Sequence, residues 1–389
     1  MSYFNKYKIL LIIITINYHY FLYNFKIHLI PYILSYEYKR IENYLKICSS
    51  TSNFFYLKKP ISNIPKISII SPVYNTGKFV LRLLRSIQNQ NFNDIEIILI
   101  DDCSKDNSLE LMKNYQSEDK RIKIIKNKRN IGTFASRIAG ILKSNGNYIL
   151  MPDSDDILLE NSLKYLYLFS IKYDFELLRY NIYLNYGKTF FGDITNKLES
   201  KPIYQPILST YLFYAFGYLK QVDFNVSNKF IKREALIRAL NLFQKTELNM
   251  YMTAFEDGLL NYFLYRASKS FYFLKKFGYY YIKNNFFQKG YKKRYLFNLL
   301  KYKFIYLIHV FNYSKNTKYE KDMTNQLFKY LVYKTGENND ISPINIESNF
   351  IINIIRILNE NEFFSYKYKV FLNSTIDIFL NKTKAIKII

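Results

Sequence analysis

The chain has 389 residues, 49% of them hydrophobic, so it can bury a sizeable core and wholesale disorder is excluded. Its net charge of +25 favours anionic partners such as nucleotides, nucleic acid or acidic lipid headgroups, although its abundance of Lys, Ile and Asn equally fits a compositional bias. Only Cys48 and Cys103 are present and no histidine lies between residues 29 and 308, which excludes a disulfide framework, a cysteine-based zinc site and, unless His309 folds back, histidine catalysis in that region.

An apolar run opens the chain at residues 9–25, between Lys8 and Lys26. It is a little short against the ~20 residues that a spanning helix needs. The absence of any alanine before Ala135 argues against a cleaved signal peptide. We therefore predict a single uncleaved membrane anchor within residues 1–38, with an interfacial or packing helix as the alternative. Residues 39–64 are polar and predict a stem or linker.

Beyond the stem, strand-like apolar runs alternate with helical patterns. The strand-like runs are Lys66–Ser71, Ile95–Ile100, Ile122–Ile125 and Tyr148–Met151. Helical spacing is found over Thr76–Gln90, around Leu109–Met112, over Ile131–Leu142 and over Glu160–Ile171. This alternation predicts an α/β domain with a mostly parallel sheet and right-handed crossovers.

Polar residues follow three of these strands at the point where each ends. They are Pro72-Val73-Tyr74-Asn75, the pair Asp101 and Asp102, and Asp153-Ser154-Asp155-Asp156. Ligands bind at the carboxyl ends of strands in an open α/β sheet, and grouped carboxylates suggest a divalent metal with a phosphorylated ligand. Asp153 and Asp155 flank one residue on a tight turn, so both can face a metal. The alternatives are a capping role for the first pair and a solvated turn for the second.

In this order and spacing, the motifs resemble those of the family 2 glycosyltransferases. The residues that carry the resemblance are Ile67–Asn75, Asp101–Asp106, Asn130-Ile131-Gly132 with Arg137, and Asp153–Asp156. It covers residues 65–156 and continues more weakly to about residue 284. The chain departs from the family pattern at Cys103, where glycine is usual, and at Ile138, where a polar residue often follows the arginine. The resemblance implies the GT-A fold, a single nucleotide-binding α/β domain that we place at residues 65–288.

The resemblance further implies transfer of a sugar from a nucleotide-diphosphate donor. Departure of the diphosphate builds negative charge, so we expect Mn²⁺ or Mg²⁺ to neutralise it, held by Asp153 and Asp155. Asp102 is assigned to the nucleotide base and Arg137 to the phosphates, with a surface salt bridge as the alternative for the arginine. The residues expected to bind substrate are Pro72, Val73, Tyr74, Asn75, Asp101, Asp102, Arg137, Asp153, Asp156, Asn228 and Lys229.

The acceptor, a glycan, lipid or protein, should face the second half of the domain. Asn228 and Lys229 resemble a short strand of the family that precedes a helix. Glu256 and Asp257 resemble the Glu-Asp pair of inverting members, in which one carboxylate takes the proton of the acceptor hydroxyl. We predict Asp257 as this base with Glu256 beside it, and the alternative is a helix cap. The run Phe271–Ile282 is predicted to form the last strand of the domain.

Residues 289–389 mix Lys-Tyr clusters with apolar helical runs and predict a basic helical extension. Such interleaving can hold a membrane surface or single-stranded nucleic acid, or it is an ordinary solvated face. Two other functions remain open: a nucleotidyltransferase or related nucleotide-using enzyme, and a non-catalytic nucleotide-sugar or nucleic-acid binding protein. The absence of a Gly-rich phosphate loop argues against kinases and ATPases. Because every expected carboxylate is retained, an enzyme is favoured and nucleic acid is not an expected partner.

Overall fold

The computed structural model describes residues 64–186, 189–190, 202–204 and 225–282, together with residues 43, 302 and 306. The chain divides into two units, Met1–Lys321 and Asp322–Ile389, and all of these residues belong to the first. The predicted anchor at residues 9–25 lies outside the described residues, as do nearly all of the predicted stem and C-terminal extension. Within the described ranges, no helix is both long and apolar enough to span a bilayer.

The described secondary structure follows the predicted alternation of strands and helices. The strands are β1 Ile67–Val73, β2 Ile95–Asp101, β3 Ile122–Lys126, β4 Tyr148–Leu150, β5 Ile157–Leu158, β6 Leu177–Tyr186, β7 Thr189–Phe190, β8 Ile203–Tyr204, β9 Lys229–Lys232 and β10 Ser270–Tyr281. The helices are α1 Gly77–Gln88, α2 Ser108–Glu118, α3 Gly132–Lys143, α4 Ser162–Tyr173, α5 Arg233–Leu240 and α6 Glu256–Ala267, with a 3₁₀ turn at Glu247–Asn249. The predicted strands and helices up to residue 171 are confirmed, with ends that shift by a few residues.

The strands form one curved path in the order β3-β2-β1-β4-β9-β6-β10-β5. The first four are parallel, as predicted. In the other half β6 and β10 are also parallel, but β9 runs antiparallel to both β4 and β6, and β5 runs antiparallel to β10. The sheet is therefore mixed. Apolar runs mark where strands lie but do not encode the direction in which the chain returns.

Strands β1 and β2 are interior strands of the sheet, and they are buried on both faces. All seven residues of β2 are buried, as expected for a parallel strand covered by helices on each side. Val80 and Leu83 of the amphipathic α1 pack on one face. On the other face α3 approaches closely at Gly140, where an added Cβ would lie 2.4 Å from Cγ2 of Ile70. This packing holds the carboxyl ends of the parallel strands in a rigid row.

Two tight turns leave β1 and β2 with backbone in the left-handed region. Asn75 has φ 51° and Cys103 has φ 63°. Asparagine tolerates this conformation, whereas cysteine at that position is strained relative to glycine. The glycine of the pattern that this sequence resembles would take the same conformation at position 103 without strain.

Candidate active site

The loops that follow β1 and β2 are joined by hydrogen bonds. Asn75 accepts a bond from the Lys105 amide at its Oδ1 (2.7 Å), and its own amide donates to Ser104 Oγ (3.2 Å). Asp101 Oδ1 accepts from the Ser104 amide (3.1 Å), while its buried Oδ2 has no hydrogen-bond partner among the described residues. Of the predicted substrate-binding residues, Pro72 and Val73 therefore end β1, while Tyr74 and Asn75 open the loop that is braced beside Asp101.

Asp102 lies at the N-terminus of α3, where it is nearly completely buried. Its Oδ1 accepts hydrogen bonds from Asn127 Nδ2 (2.9 Å) and the Ile131 amide (2.8 Å), and its Oδ2 accepts one from the Gly132 amide (2.9 Å). Asp102, which directly follows β2, thus caps α3 from a distant part of the sequence. An acidic group at a helix N-terminus stabilises the helix. The predicted contact of Asp102 with a nucleotide base stays a prediction.

Two exposed tyrosine rings border this carboxylate, and only one was predicted. Tyr74 is 43% exposed and Tyr251 is 50% exposed. Partial burial, followed by the nearby charge of Asp102 and the neighbouring Tyr74, raises the pKa of Tyr251. Tyr251 is fixed next to α3 because Gly132, with φ +85°, lets the Met252 backbone approach within about 3 Å of its missing Cβ. No local sequence signal distinguishes Tyr251 from the chain's 39 other tyrosines.

The turn Asp153–Asp156 is anchored from α1 and from β10. The Tyr279 hydroxyl accepts a hydrogen bond from the Asp153 amide (3.0 Å) and donates one to Asp156 Oδ2 (2.6 Å). The Ile282 amide donates to Asp156 Oδ1 (2.8 Å), and Arg82 donates to the carbonyl oxygen of Asp155 (3.2 Å). Sequence reasoning missed both Tyr279 and Arg82, since each acts on the turn from a distant segment.

Asp156 is fully buried, and both of its carboxylate oxygens are hydrogen bonded to β10 and the residue that follows it. Burial, together with the negative charges of Asp155 and Asp153, raises its pKa well above the ordinary value. A contact with the ribose or donor sugar, expected from the sequence, would have to reach this fully buried carboxylate, and it stays a prediction. The geometry favours Asp156 as the anchor of the turn.

We expect Tyr279→Phe to lower the free energy of unfolding by about 1–3 kcal/mol, because it leaves the Asp153 amide and Asp156 Oδ2 without their partner. Urea unfolding measures the effect. The matched control is Tyr272→Phe on the same strand, whose ring contacts with Phe169 and Phe175 survive the change. Equal behaviour of the two variants would contradict the bracing role of Tyr279.

Arg137 of α3 stands at the centre of the site, with a side chain that is only 2% exposed. It donates to Asp153 Oδ1 (2.5 Å), to Glu256 Oε1 (3.3 Å) and to Asp257 Oδ1. Burial alone would lower the pKa of the guanidinium, but the charges of Asp257, Asp153 and Glu256 raise it above the usual value. Three carboxylates from two distant segments thus share one buried cation. The predicted contact of Arg137 with the phosphates stays a prediction.

The acids of this cluster differ in their protonation behaviour. Burial, then the charge of Asp257, raises the pKa of Glu256 to about 8, although Arg137 opposes the shift. Burial raises the pKa of Asp257 as well, while Arg137 and the Val226 amide, which donates to Oδ2 at 3.2 Å, hold it down. Glu256 therefore holds its proton more tightly than an exposed glutamate does. Asp257 remains the carboxylate that Arg137 holds most directly.

Asn228 precedes β9 and Lys229 begins it, and both are buried. The Lys229 ammonium donates to Asn228 Oδ1 (2.6 Å) and to the carbonyl oxygen of Asn225 (2.7 Å). Its charge lowers the pKa of Asp257, which places the ammonium near that carboxylate. The structure thus brings Lys229, with Asn228 bonded to it, near Asp257, and the predicted substrate contact of the pair stays a prediction.

The residues present fit a metal site of the kind that depends on a phosphorylated ligand. Among the described residues, no three His, Cys, Asp or Glu are grouped so that they could hold a metal ion. Asp153 and Asp155 are both partly exposed, and Asp153 is 34% exposed with one oxygen bound to Arg137. Mg²⁺ in phosphate sites takes one or two carboxylates, while substrate phosphates and water supply the other ligands. Two carboxylates on one turn are sufficient for that arrangement.

Residues 68–240 match the sequence profile of the family described as Glycosyl transferase family 2. An uncharacterized glycosyltransferase of Haemophilus influenzae is 42% identical over 102 residues, which are 26% of this chain and 41% of that protein. Glycosyltransferase GlyG of Streptococcus pneumoniae is 39% identical over 101 residues, which are 26% of this chain and 34% of that protein. The similarity therefore spans less than half of the length of these curated relatives.

A third relative carries a more specific name. The GalNAc(5)-diNAcBac-PP-undecaprenol beta-1,3-glucosyltransferase of Campylobacter jejuni is 36% identical over 101 residues, which are 26% of this chain and 33% of that protein. Among solved structures, S. aureus TarS 1-349 superposes with a TM-score of 0.53 at 18% identity, covering 75% of this chain and 79% of that one. Its complex with UDP-GlcNAc also gives a TM-score of 0.53 at 18% identity, covering 75% and 81%. At this identity the likeness concerns the fold alone.

Proposed function

Through residues 68–240 this chain belongs to glycosyltransferase family 2, and we propose that it moves a sugar from a nucleotide-diphosphate donor to an acceptor hydroxyl, with a divalent metal and with inversion. One observation carries the proposal most directly. Arg137 joins Asp257, the candidate base, to Asp153, a candidate metal ligand, across 120 and 16 residues of sequence. A link of this kind sets the distance between the attacking and the leaving group, which is the geometry that a direct displacement needs.

The donor end of the site is proposed at the ends of β1 and β2. The exposed rings of Tyr74 and Tyr251 lie beside Asp102, where a nucleotide base can stack on an aromatic face. A solved neighbour, TarS, has a complex with UDP-GlcNAc, which supports a nucleotide-diphosphate sugar as the donor class. A thermal-shift screen of nucleotide sugars with Mn²⁺ tests this part. We expect a metal-dependent rise in melting temperature with at least one donor, and no shift with any donor would contradict it.

Asp153 and Asp155 would hold the metal, which would neutralise the charge that builds on the departing diphosphate. The protein's own contribution is to fix these two side chains. Tyr279 binds the Asp153 amide and Arg82 binds the carbonyl oxygen of Asp155, and both aspartates remain partly exposed.

On the acceptor side, the hydroxyl oxygen attacks the anomeric carbon from the face opposite the diphosphate. The carbon–oxygen bond to the diphosphate breaks, its electron pair leaves with the phosphate, and the hydroxyl proton passes to Asp257. A raised pKa makes Asp257 a stronger base at neutral pH. Since the described hydrogen bonds of Arg137 all go to carboxylates, we assign it a positioning role in this step. A single displacement with one base inverts the configuration.

We expect Asp155→Ala to lower transfer by about a hundredfold or more, because charge neutralisation by a metal is worth several kcal/mol. The fold should persist, since the Arg82 contact uses the backbone oxygen of Asp155, which alanine keeps. Release of nucleoside diphosphate with Mn²⁺ or Mg²⁺ is the measurement. Asp174→Ala is the matched control, because Asp174 is 81% exposed and pairs with Lys232 on the surface. Full activity of Asp155→Ala, or of the wild type in EDTA, would remove the metal from the proposal.

The proposal includes membrane attachment through residues 9–25, and the acceptor as a glycan, lipid or protein. One relative is named for a saccharide on PP-undecaprenol, which supports a lipid-linked glycan among these acceptor classes. Carbonate extraction of the full chain tests the attachment. Retention in the membrane fraction is expected, and release into the soluble fraction would exclude an anchor.

A further inference from the structure

Helix α4 exposes an apolar stripe that the proposed reaction does not use. Ten large hydrophobic side chains are exposed among the described residues, and α4 carries four of them. Tyr165, Leu168 and Ile171 are 36%, 49% and 49% exposed and are spaced three residues apart, which places them side by side on one helical surface. Tyr173 is 49% exposed at the end of the same helix. Soluble proteins rarely leave such contiguous patches without a partner.

The opposite surface of α4 is packed firmly in the core. Leu163 is fully buried and Leu166 is 2% exposed, and both belong to the main apolar cluster. The Phe169 ring lies 5.1 Å from the Tyr272 ring of β10. The exposed stripe is therefore the outer surface of a well-anchored helix.

Basic side chains share this surface. Lys164 and Lys172 are exposed on the same arc of α4, and Lys276 of β10 is exposed beside it. The Lys276 ammonium lies 3.5 Å from the centroid of the Tyr165 ring, a cation–π contact. The acidic groups nearby are Glu160, before the helix, and Asp174, which pairs with Lys232 at 3.0 Å. The local charge is positive along the stripe itself.

A cavity of about 370 Å³ adjoins the stripe between α4 and β10. Its apolar lining includes Tyr165, Leu166, Leu168 and Leu274. Its charged lining residues are Lys164, Lys276 and Glu160. The recess therefore carries one more positive than negative side chain.

We propose that this surface, the α4 face (Lys164, Tyr165, Leu168, Ile171, Lys172 and Lys276), docks on a bilayer that contains anionic lipids. Leu168 and Ile171 would enter the boundary between headgroups and acyl chains, and Tyr165 would lie at headgroup level. The lysine stems can cover apolar surface while their ammonium groups reach the lipid phosphates. Charge complementarity selects lipid over a second copy of this basic chain. The proposal stands independently of the sugar transfer and of residues 9–25.

The chain contains no tryptophan, so one introduced indole reports its own surroundings. The test compares full-length Leu168→Trp with Leu142→Trp, since Leu142 is 58% exposed on α3. Each protein is mixed with vesicles of phosphatidylglycerol or of phosphatidylcholine, with and without brominated acyl chains. We expect a blue shift and quenching by brominated lipid for Leu168→Trp with phosphatidylglycerol. No such change is expected for Leu142→Trp.

The contribution of the lysine charges to vesicle binding is tested by adding Lys164→Gln and Lys172→Gln to Leu168→Trp. The half-maximal fluorescence shift should then need about thirtyfold more phosphatidylglycerol. This factor follows from the binding free energy that each lysine near an anionic surface usually contributes. Several results would overturn the proposal. They are an unchanged indole at position 168 when the protein pellets with vesicles, an equal change at position 142, an equal response to phosphatidylcholine, and a shift without vesicles that grows with protein concentration. The last of these indicates a second copy as the partner.

Discussion

Asp257→Asn is expected to lower kcat by roughly two to four orders of magnitude, the usual worth of general-base catalysis. The amide cannot take the proton of the acceptor hydroxyl. Donor KM should change little, because Asp257 is assigned to the acceptor hydroxyl and not to the diphosphate or the nucleotide base. Steady-state kinetics of nucleoside diphosphate release measure both constants.

The competing explanation is that Asp257 only stabilises the first turn of α6. Glu234 provides the matched control, because it occupies the first turn of α5 in the same manner. Glu234→Gln should retain full turnover, with a stability loss of a few tenths to 1 kcal/mol at most. If Asp257→Asn keeps wild-type turnover, or if both variants lose it equally, Asp257 is a helix cap and the base lies elsewhere.

Arg137→Ala should lower the free energy of unfolding by about 3–5 kcal/mol, since it leaves buried carboxylates without their cation. Asp153, Glu256 and Asp257 would then repel one another at the centre of the site. Urea unfolding gives the size of the loss. Arg129→Ala is the control, because Arg129 is exposed near the same helix and its removal should change stability by less than about 0.5 kcal/mol.

The stability that Arg137→Ala loses should depend on pH in a defined direction. Burial raises the pKa of Asp257 and raises that of Glu256 to about 8, so the folded state binds protons that the unfolded state releases above about pH 4.5. Stability from such groups is present at low pH and is lost as pH rises through the folded pKa. Without Arg137 these carboxyls hold protons more tightly still. Arg137→Ala should therefore be less destabilising at pH 5 than at pH 8, and the reverse order would contradict the buried cluster.

The sequence predicted the first half of the fold well because its signals are local. Buried runs such as Ile95–Ile100 and the spacing of Val80 and Leu83 in α1 report burial directly. The central strand β6 was missed, and so was the antiparallel placement of β9 between β4 and β6. The pairing of strands depends on segments far apart in sequence, which no local pattern specifies.

In the candidate site, too, local motifs could be predicted from the sequence and long-range contacts could not. Sequence motifs located Asp102, Asp153 and Asp257, and the structure brings the last two together through Arg137. The cluster itself could not be foreseen, since its members lie up to 120 residues apart. For the same reason the burial of Asp156 against Tyr279 was missed.

The most direct measurement is the release of nucleoside diphosphate when the full chain is incubated with a panel of nucleotide sugars, with and without Mn²⁺. NMR of the same samples gives the configuration of the transferred sugar. We expect release from at least one donor, dependent on the metal, abolished in Asp155→Ala and strongly reduced in Asp257→Asn, with inverted configuration. Release that is equal in the wild type and both variants, or a product that retains the donor's configuration, would contradict an inverting, metal-dependent transfer at this site.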